Sequence, residues 1–199
     1  MYPKTLNNII NYLAKLPGVG KISAERMALH LFSTYSASDL AAFGQDLINL
    51  KSLVRYCKVC HNLTEGDKCT ICANEKRDQT TIMIVKEPKD LYLIEQTNKY
   101  QGLYHVLGNL IDITRGKTAK DLKLDSLTNR LQNNVKEIIL ALDTTLEGEI
   151  TSAFLKKYVA EINPAIVITR ISYGIPLNID FKYVDVNTLL MSIEKRIKY

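Results

Sequence analysis

The sequence predicts a multi-part α/β protein with an all-helical N-terminal module, a small metal-binding module, and a mostly parallel sheet covered by helices on both faces. Three observations indicate this fold class. The first 55 residues show only helical apolar spacing, and all four cysteines fall within sixteen residues. The rest of the chain alternates short apolar runs with amphipathic helical patterns, which is typical of a parallel sheet.

The N-terminal module is predicted to contain three helices. Residues 5–16 carry apolar side chains at helical spacing, and Pro17 ends this helix. A second pattern covers residues 23–33, and Ser38 is the expected N-cap of a third helix that runs through Val54.

Four cysteines follow in "CKVCHNLTEGDKCTIC", with two C-x2-C turns separated by eight residues. This spacing predicts a closed tetrahedral site for structural zinc, with the ligands Cys57, Cys60, Cys69 and Cys72. An iron–sulfur cluster is the chemical alternative, and disulfides are the other one. His61 is expected to be a surface residue, because four thiolates already complete the site.

The apolar pattern of residues 80–199 predicts four strands and four helices. The last helix is amphipathic and has a basic end. The strands are expected over 80–85, 102–108, 136–142 and 164–171, and the helices over 89–97, 125–134, 147–162 and 187–199.

Composition and charge narrow the functional classes. The 199 residues are 46% hydrophobic and 24% charged, which argues against disorder, and no run approaches the length of a membrane span. We expect a cytoplasmic protein without a signal peptide. The net charge of +5 suits a polyanionic partner, and residues 1–55 hold six basic against three acidic side chains.

The segment "KLPGVGKISAERMALHLF" holds a glycine-rich hairpin between two helices. Gly18 and Gly20 allow another backbone to come close, and the next helix starts with free N–H groups that favour an anion. With Lys21 and Arg26 nearby, this pattern predicts a helix-hairpin-helix that binds the nucleic-acid backbone without reading bases.

Two other interpretations of the hairpin stay open. It could be an ordinary corner between helices, or an oligomer contact in which Val19 and Ile22 are the anchors. The local charge excess favours nucleic acid.

Acidic residues follow two predicted strands. Asp143, Glu147 and Glu149 come after one strand, and Glu87 after another. Because ligand sites lie beyond the carboxyl ends of parallel strands, these groups could hold Mg²⁺. Acidic residues are also ordinary in the first turn of a helix, so the Mg²⁺ site is the weaker interpretation.

The remaining candidate residues predict no catalytic chemistry. His30 and His105 lie among apolar neighbours and are expected to be core or edge residues. The hairpin lacks the spacing of a nucleotide-binding P-loop, which leaves ATP use without support.

The order of these motifs resembles the RecR family of bacterial recombination mediators over nearly the whole chain. The resemblance rests on the hairpin, the four cysteines, "GLYHVLGN", "LALDTTLEGEIT" and "RISYGIPLNIDFKYVDVNTL". It implies a helix-hairpin-helix domain over 1–55, a four-cysteine zinc finger over 56–76, a Toprim domain over 77–177 and a C-terminal arm over 178–199.

The resemblance also implies a function. Members of this family act without known catalysis, form ring-like homo-oligomers around DNA, and work with RecO and RecF to load RecA onto single strands. The acidic residues are then implicated in partner contact. The chain departs from the family pattern at four places. Lys21-Ile22 stand where the family has Pro-Lys, and Lys86 occupies the first acidic Toprim position. The region after "VLGN" lacks the Gly/Pro-rich stretch of the family, and Asn178 stands where glycine is typical.

Three functions are therefore weighed, in this order: a non-catalytic DNA clamp and mediator, a Toprim-type metal-dependent nuclease or primase, and a plain protein-interaction module. We expect neither a topoisomerase nor a primase, because 199 residues leave no room for the additional domains that those enzymes need.

Overall fold

The computed structural model describes residues 2–172 and 174–196. These residues form two compact units, one that ends at Val54 and one that begins at Arg55. The finer division into four domains stays a prediction.

The first unit is the predicted set of three helices, α1 (Lys4–Leu13), α2 (Lys21–Thr34) and α3 (Ala37–Ser52). Helices α1 and α2 pack against each other. The bounds differ from the predicted ones by a few residues, because fraying and capping decide helix ends more than apolar spacing does.

The predicted cap of α3 is wrong by two residues. Ser36 is the N-cap: its Oγ accepts the Asp39 N–H at 3.1 Å, while its own N–H donates to Asp39 Oδ2 at 3.3 Å. This reciprocal pair satisfies two backbone donors at once. Ser38 lies inside the first turn, and its hydroxyl is hydrogen-bonded to that of Ser36.

The first unit has a small buried core. Among its described residues only Ala24 and Ala28 are buried. Its surface instead carries large apolar side chains, and these include Tyr12, Ile22, Phe32, Leu47 and Ile48.

The second unit begins with the cysteine-rich segment and continues into the sheet. The cysteine-rich segment holds the two-stranded hairpin β1 (Arg55–Tyr56) and β2 (Leu63–Thr64) and the one-turn helix α4 (Thr70–Ala73). The later elements are β3 (Asp78–Val85), α5 (Pro88–Glu95), β4 (Gly102–Val106), α6 (Asp125–Leu131), β5 (Glu137–Ala141), α7 (Leu146–Ile162), β6 (Val167–Arg170) and α8 (Val186–Glu194).

The four longer strands form the predicted parallel sheet, in the order β4-β3-β5-β6. Met83 in β3 is aligned with Tyr104 in β4 and with Ile139 in β5. Strand β4 lies on one side of β3 and β5 lies on the other, so the chain reverses its direction across the sheet between β4 and β5. The carboxyl ends of β3 and β5 therefore form the switch point at which parallel sheets bind ligands.

Helices cover both faces of this sheet. Right-handed connections put α5 on one face and α6 and α7 on the other. The core takes its side chains from the helices and from both faces of β3, whose residues 82–85 are all buried. The buried cysteines belong to this same core.

The outer edge of β4 is closed by groups from elsewhere in the unit. Arg77 Nε donates to the Gly102 carbonyl at 2.8 Å, and Arg130 Nη1 donates to the Tyr104 carbonyl at 2.7 Å. The Val106 N–H donates to the Cys60 carbonyl at 2.8 Å. The strand edge is thus bonded at three successive outward positions.

Several predicted bounds in this unit need correction, and α6, for example, ends at Leu131, three residues before its predicted end. The last strand begins at Val167, three residues after its predicted start, because the preceding residues form a turn in which the Ile166 N–H bonds the Asn163 carbonyl. Helix α8 ends at Glu194, so the predicted extension over 195–196 is wrong, and that over 197–199 lies outside the described residues. In the described part of the chain, no helix has the length and apolar character needed to cross a bilayer.

Candidate zinc centre and nucleic-acid interface

The two C-x2-C turns bring all four sulfurs together. The Sγ atoms of Cys57, Cys60, Cys69 and Cys72 lie within 4.8 Å of one another, and the Cys60 and Cys69 sulfurs are 3.5 Å apart. Sulfurs at the corners of a zinc tetrahedron lie about 3.8 Å apart, since Zn–S bonds are about 2.3 Å long. The arrangement therefore fits the predicted four-sulfur zinc site.

Backbone hydrogen bonds prepare these sulfurs as ligands. The Cys69 N–H donates to Cys57 Sγ at 3.3 Å, and the Cys72 N–H to Cys69 Sγ at 3.5 Å. Hydrogen bonds from Cys60 and Cys72 lower the pKa of the Cys69 thiol, while the Cys69 contact raises the pKa of Cys60. Because zinc binds thiolates, metal binding at such a site is coupled to the loss of thiol protons.

His61 is half-buried, so the expectation of a surface position was wrong. Its Nε2 lies 3.0 Å from the Ser126 hydroxyl of α6, and its ring packs edge-on against that of His105. His61 directly follows Cys60, the last residue of the first C-x2-C turn, and its backbone is left-handed, with φ of 60°. His61 joins the cysteine-rich segment to α6 and is not a ligand.

The glycine hairpin of the first unit is a tight turn. The Val19 N–H donates to the Leu16 carbonyl at 3.1 Å, Pro17 occupies the second position and Gly18 the third, with φ of 79°. This is the pattern of a type II turn, in which the third residue needs a positive φ. Among the residues that the structure describes, nothing beyond the adjoining residues lies within 4 Å of a Cβ placed at Gly18 or Gly20, so the tip is open.

Helix α2 begins at this tip without a side-chain cap. Gly20 is its N-cap, and the first N–H that reaches a helix carbonyl is that of Ala24, at 2.9 Å from Gly20 O. The N–H groups of residues 21–23 have no partner within the helix and point out of its positive end. Lys21 and Arg26, the two predicted basic residues, are both exposed on α2.

The acidic residues at the switch point surround a lysine. Lys86 Nζ lies 3.0 Å from Asp143 Oδ2 and 3.4 Å from Glu87 Oε1. The hydrogen bond to Asp143 raises the pKa of Lys86, and Lys89 lowers the pKa of Glu87. The lysine thus places a fixed positive charge among the carboxylates.

These groups line a cavity of about 350 Å³ at the ends of the strands. Its walls include Lys86, Glu87, Asp143 and Glu147, and also two further basic residues, Arg115 and Lys117. Sequence reasoning missed the latter two, which lie in the loop after β4 and carry no motif.

Glu149 is turned away from this cavity. Its carboxylate is paired with the guanidinium of Arg170 in β6, at 2.7 and 3.0 Å. The structure therefore brings three of the four predicted acidic residues together and separates the fourth.

The "EGE-T" segment has structural roles at this site. Thr151 is buried, and its hydroxyl donates to the Glu147 carbonyl and accepts the Ile111 N–H at 2.9 Å. A Cβ at Gly148 would stand 1.8 Å from the Asp143 carbonyl oxygen, so only glycine allows α7 to start this close to the strand end.

The other two histidines behave differently from each other. His105 is buried in β4, as predicted, and its Nε2 lies 2.6 Å from the Lys123 carbonyl. Burial lowers its pKa to about 3, so the ring is neutral. His30 is exposed on α2, so the prediction of a core or edge position was wrong.

Comparison with known families matches three consecutive parts of the chain. Residues 6–47 match the RecR helix-hairpin-helix, residues 54–74 the four-cysteine zinc finger domain of RecR, and residues 80–172 the Toprim domain. With the sulfur geometry, the second match assigns the cysteines to a structural zinc finger.

Similar curated proteins extend over the full length. Recombination protein RecR of Levilactobacillus brevis is 40% identical over 198 residues, which cover 98% of each chain. The protein of the same name from Ligilactobacillus salivarius is 38% identical over 197 residues, again 98% of each chain. That of Phytoplasma mali is 39% identical over 194 residues, 96% of this chain and 94% of its own. The chain therefore belongs to the RecR family.

Proposed function

We propose that this chain is a non-catalytic recombination mediator of DNA repair that binds DNA by its sugar-phosphate backbone through the helix-hairpin-helix. The observation that carries the proposal is the open glycine tip, at which three main-chain N–H groups of α2 face outward without a capping side chain. Main-chain donors at a helix N-terminus bind phosphate and carry no information about base sequence.

Exposed basic residues support the same interface. Lys21 is the first residue of α2, and Arg26 lies about one and a half turns further along the helix. Salt-sensitive binding with little sequence preference is the expected behaviour, because phosphate contacts release counterions.

The apolar surface of the first unit supports assembly with further copies of the chain. A cavity of about 480 Å³ lies within this unit, with an almost wholly apolar lining that includes Leu6, Ile9, Leu31 and Phe32. Exposed apolar surface of this kind marks an interaction site. We assign it to a homo-oligomer, a dimer or a tetrameric ring as in the family.

The cavity at the switch point supports a role without bond cleavage. The Lys86 ammonium already pairs with Asp143 and Glu87, and Lys89 also pairs with Glu87, so a metal cation there would have to displace an ammonium group. The doubtful Mg²⁺ site therefore has little electrostatic support. We assign Glu87, Asp143 and Glu147 to contact with a protein partner such as RecO or RecF, in the cytoplasm at the nucleoid.

The DNA interface is tested by removing both basic side chains of the hairpin. We expect the Lys21→Ala/Arg26→Ala protein to bind single- and double-stranded DNA at least about tenfold more weakly, because two phosphate contacts are lost. The slope of log affinity against log salt should fall by about two. Fluorescence anisotropy over a range of salt concentrations measures both quantities.

A matched control removes the same charge elsewhere. The Lys156→Ala/Lys157→Ala protein loses two exposed lysines of α7 and is expected to bind DNA within about threefold of the wild type. Equal binding by the hairpin variant and the wild type would favour a plain interaction module. Cleavage of supercoiled plasmid by the wild type with Mg²⁺ or Mn²⁺, abolished by Glu147→Ala, would favour a Toprim-type nuclease.

Assembly is tested by placing a charge on the apolar surface of the first unit. Phe32 is 79% exposed and lines the apolar cavity, so Phe32→Glu is expected to shift the protein to a smaller species. Size-exclusion chromatography with light scattering measures the mass. Leu93→Glu, at an exposed position of α5, is the control and should leave the mass unchanged. A wild-type monomer at all concentrations would contradict the proposal.

A further inference from the structure

Arg130 lies on α6 with its guanidinium in the protein interior. Its Nη1 donates to the Tyr104 carbonyl at 2.7 Å, but its Nη2 is buried and has no hydrogen-bond partner among the described residues. No carboxylate of the described residues lies within 4.0 Å of this guanidinium. Arg130 is thus a partly buried cation, with one fully buried nitrogen and no acidic side chain among the described residues to balance it.

Such a charge needs compensation. Arginine stays protonated in proteins, and a buried charge without a counter-ion is strongly destabilising. The other deeply placed arginine of this unit shows the usual solution, since Arg77 forms a two-pronged pair with the carboxylate of Glu95 at 2.8 and 2.9 Å.

The groups beside Arg130 include one ligand of the zinc centre. Arg130 lines a cavity of about 330 Å³ together with Cys72 and Val59. Burial lowers the pKa of the guanidinium, and the negative charge on Cys72, Cys60 and Cys57 opposes that shift.

The zinc centre in turn needs a cation. Four thiolates around Zn²⁺ carry a net charge of −2, and three of the four cysteines are buried. Groups outside the ligand set tune the affinity of such sites.

We propose that Arg130 is the counter-ion of the zinc centre, and that its buried guanidinium stabilises the four thiolates and strengthens zinc binding. The cation comes from α6, which also holds the first C-x2-C turn through the contact between Ser126 and His61. The zinc finger is therefore completed by a residue that lies far beyond its last ligand in the sequence.

Zinc affinity tests this role directly. Arg130→Gln keeps a hydrogen-bond donor for Tyr104 but removes the charge, and Arg130→Lys keeps the charge. In competition with a chromophoric chelator, we expect the glutamine protein to bind zinc at least about tenfold more weakly and to release it faster. The lysine protein should stay within about threefold of the wild type.

Arg77→Gln is the matched control. Arg77 also donates to a β4 carbonyl, but its counter-ion is Glu95, so this change should weaken the fold and leave zinc affinity within about threefold. Cobalt-loaded protein gives a readout that does not depend on stability, because the sulfur-to-cobalt charge-transfer band responds to charge near the sulfurs. We expect the band to shift in Arg130→Gln and not in Arg77→Gln. Unchanged zinc affinity and an unshifted band in Arg130→Gln would overturn the proposal.

Discussion

Cys60→Ser is expected to give a protein that no longer holds one zinc per chain and that loses at least about 5 kcal/mol of folding stability. Structural zinc contributes its binding free energy to folding, and a serine hydroxyl is a far poorer ligand than a thiolate. The damage spreads beyond the finger, because Cys60 is buried in the common core and its carbonyl accepts the Val106 N–H of β4. Elemental analysis of the purified protein measures the zinc, and circular dichroism on heating measures the stability.

Lys58→Ser is the control for this change. Lys58 stands between two ligands, but its side chain is 71% exposed and pairs with Asp67 at the surface. Exposed pairs contribute little, so this protein should keep its zinc and melt within a few degrees of the wild type. A Cys60→Ser protein with a full zinc complement and an unchanged melting temperature would refute the assignment.

Gly148→Ala is expected to destabilise the second unit by about 3 kcal/mol. The new methyl group would stand 1.8 Å from the Asp143 carbonyl oxygen and 2.9 Å from its carbon, and neither backbone atom can move away as a flexible side chain could. Either α7 or the end of β5 must shift, and both shifts disturb the pairing of Asp143 with Lys86. Urea denaturation gives the change in unfolding free energy.

Gly44→Ala is the control, because the same substitution is expected to stabilise the protein at this position. Gly44 lies inside α3, and no other part of the described chain comes within 4 Å of its added Cβ, so alanine should stabilise the helix by up to about 1 kcal/mol. Equal denaturation midpoints for Gly148→Ala and the wild type would contradict the prediction, because they would show that the end of β5 can move without lowering the free energy of unfolding.

Features that depend only on residues close together in the sequence could be predicted from the sequence alone. The cysteine spacing is sufficient to define the zinc site, because each C-x2-C turn places its own two sulfurs, and the alternation of strands and helices defines the parallel sheet. The cap of α3 was misplaced because Ser36 and Ser38 are both acceptable caps, and only the reach of Asp39 decides between them.

Features set by chain topology could not be predicted in this way. The sequence predicts that Glu149 belongs to one acidic group with Asp143 and Glu147. In the structure it instead pairs with Arg170 of β6, which the fold places beside the start of α7. Arg130 carries no motif, and its place near the sulfurs depends on the packing of α6. The loop residues Arg115 and Lys117 reach the cavity because Thr151 holds Ile111 in place.

The closed outer edge of β4 has a consequence for solubility. A strand with free N–H and carbonyl groups at a sheet edge can add a strand from another molecule, which is a common start of aggregation. Here two arginines and the zinc finger occupy those groups. A chain that loses its metal would uncover the Val106 end of this edge as a template for intermolecular pairing, so we expect zinc loss to promote aggregation.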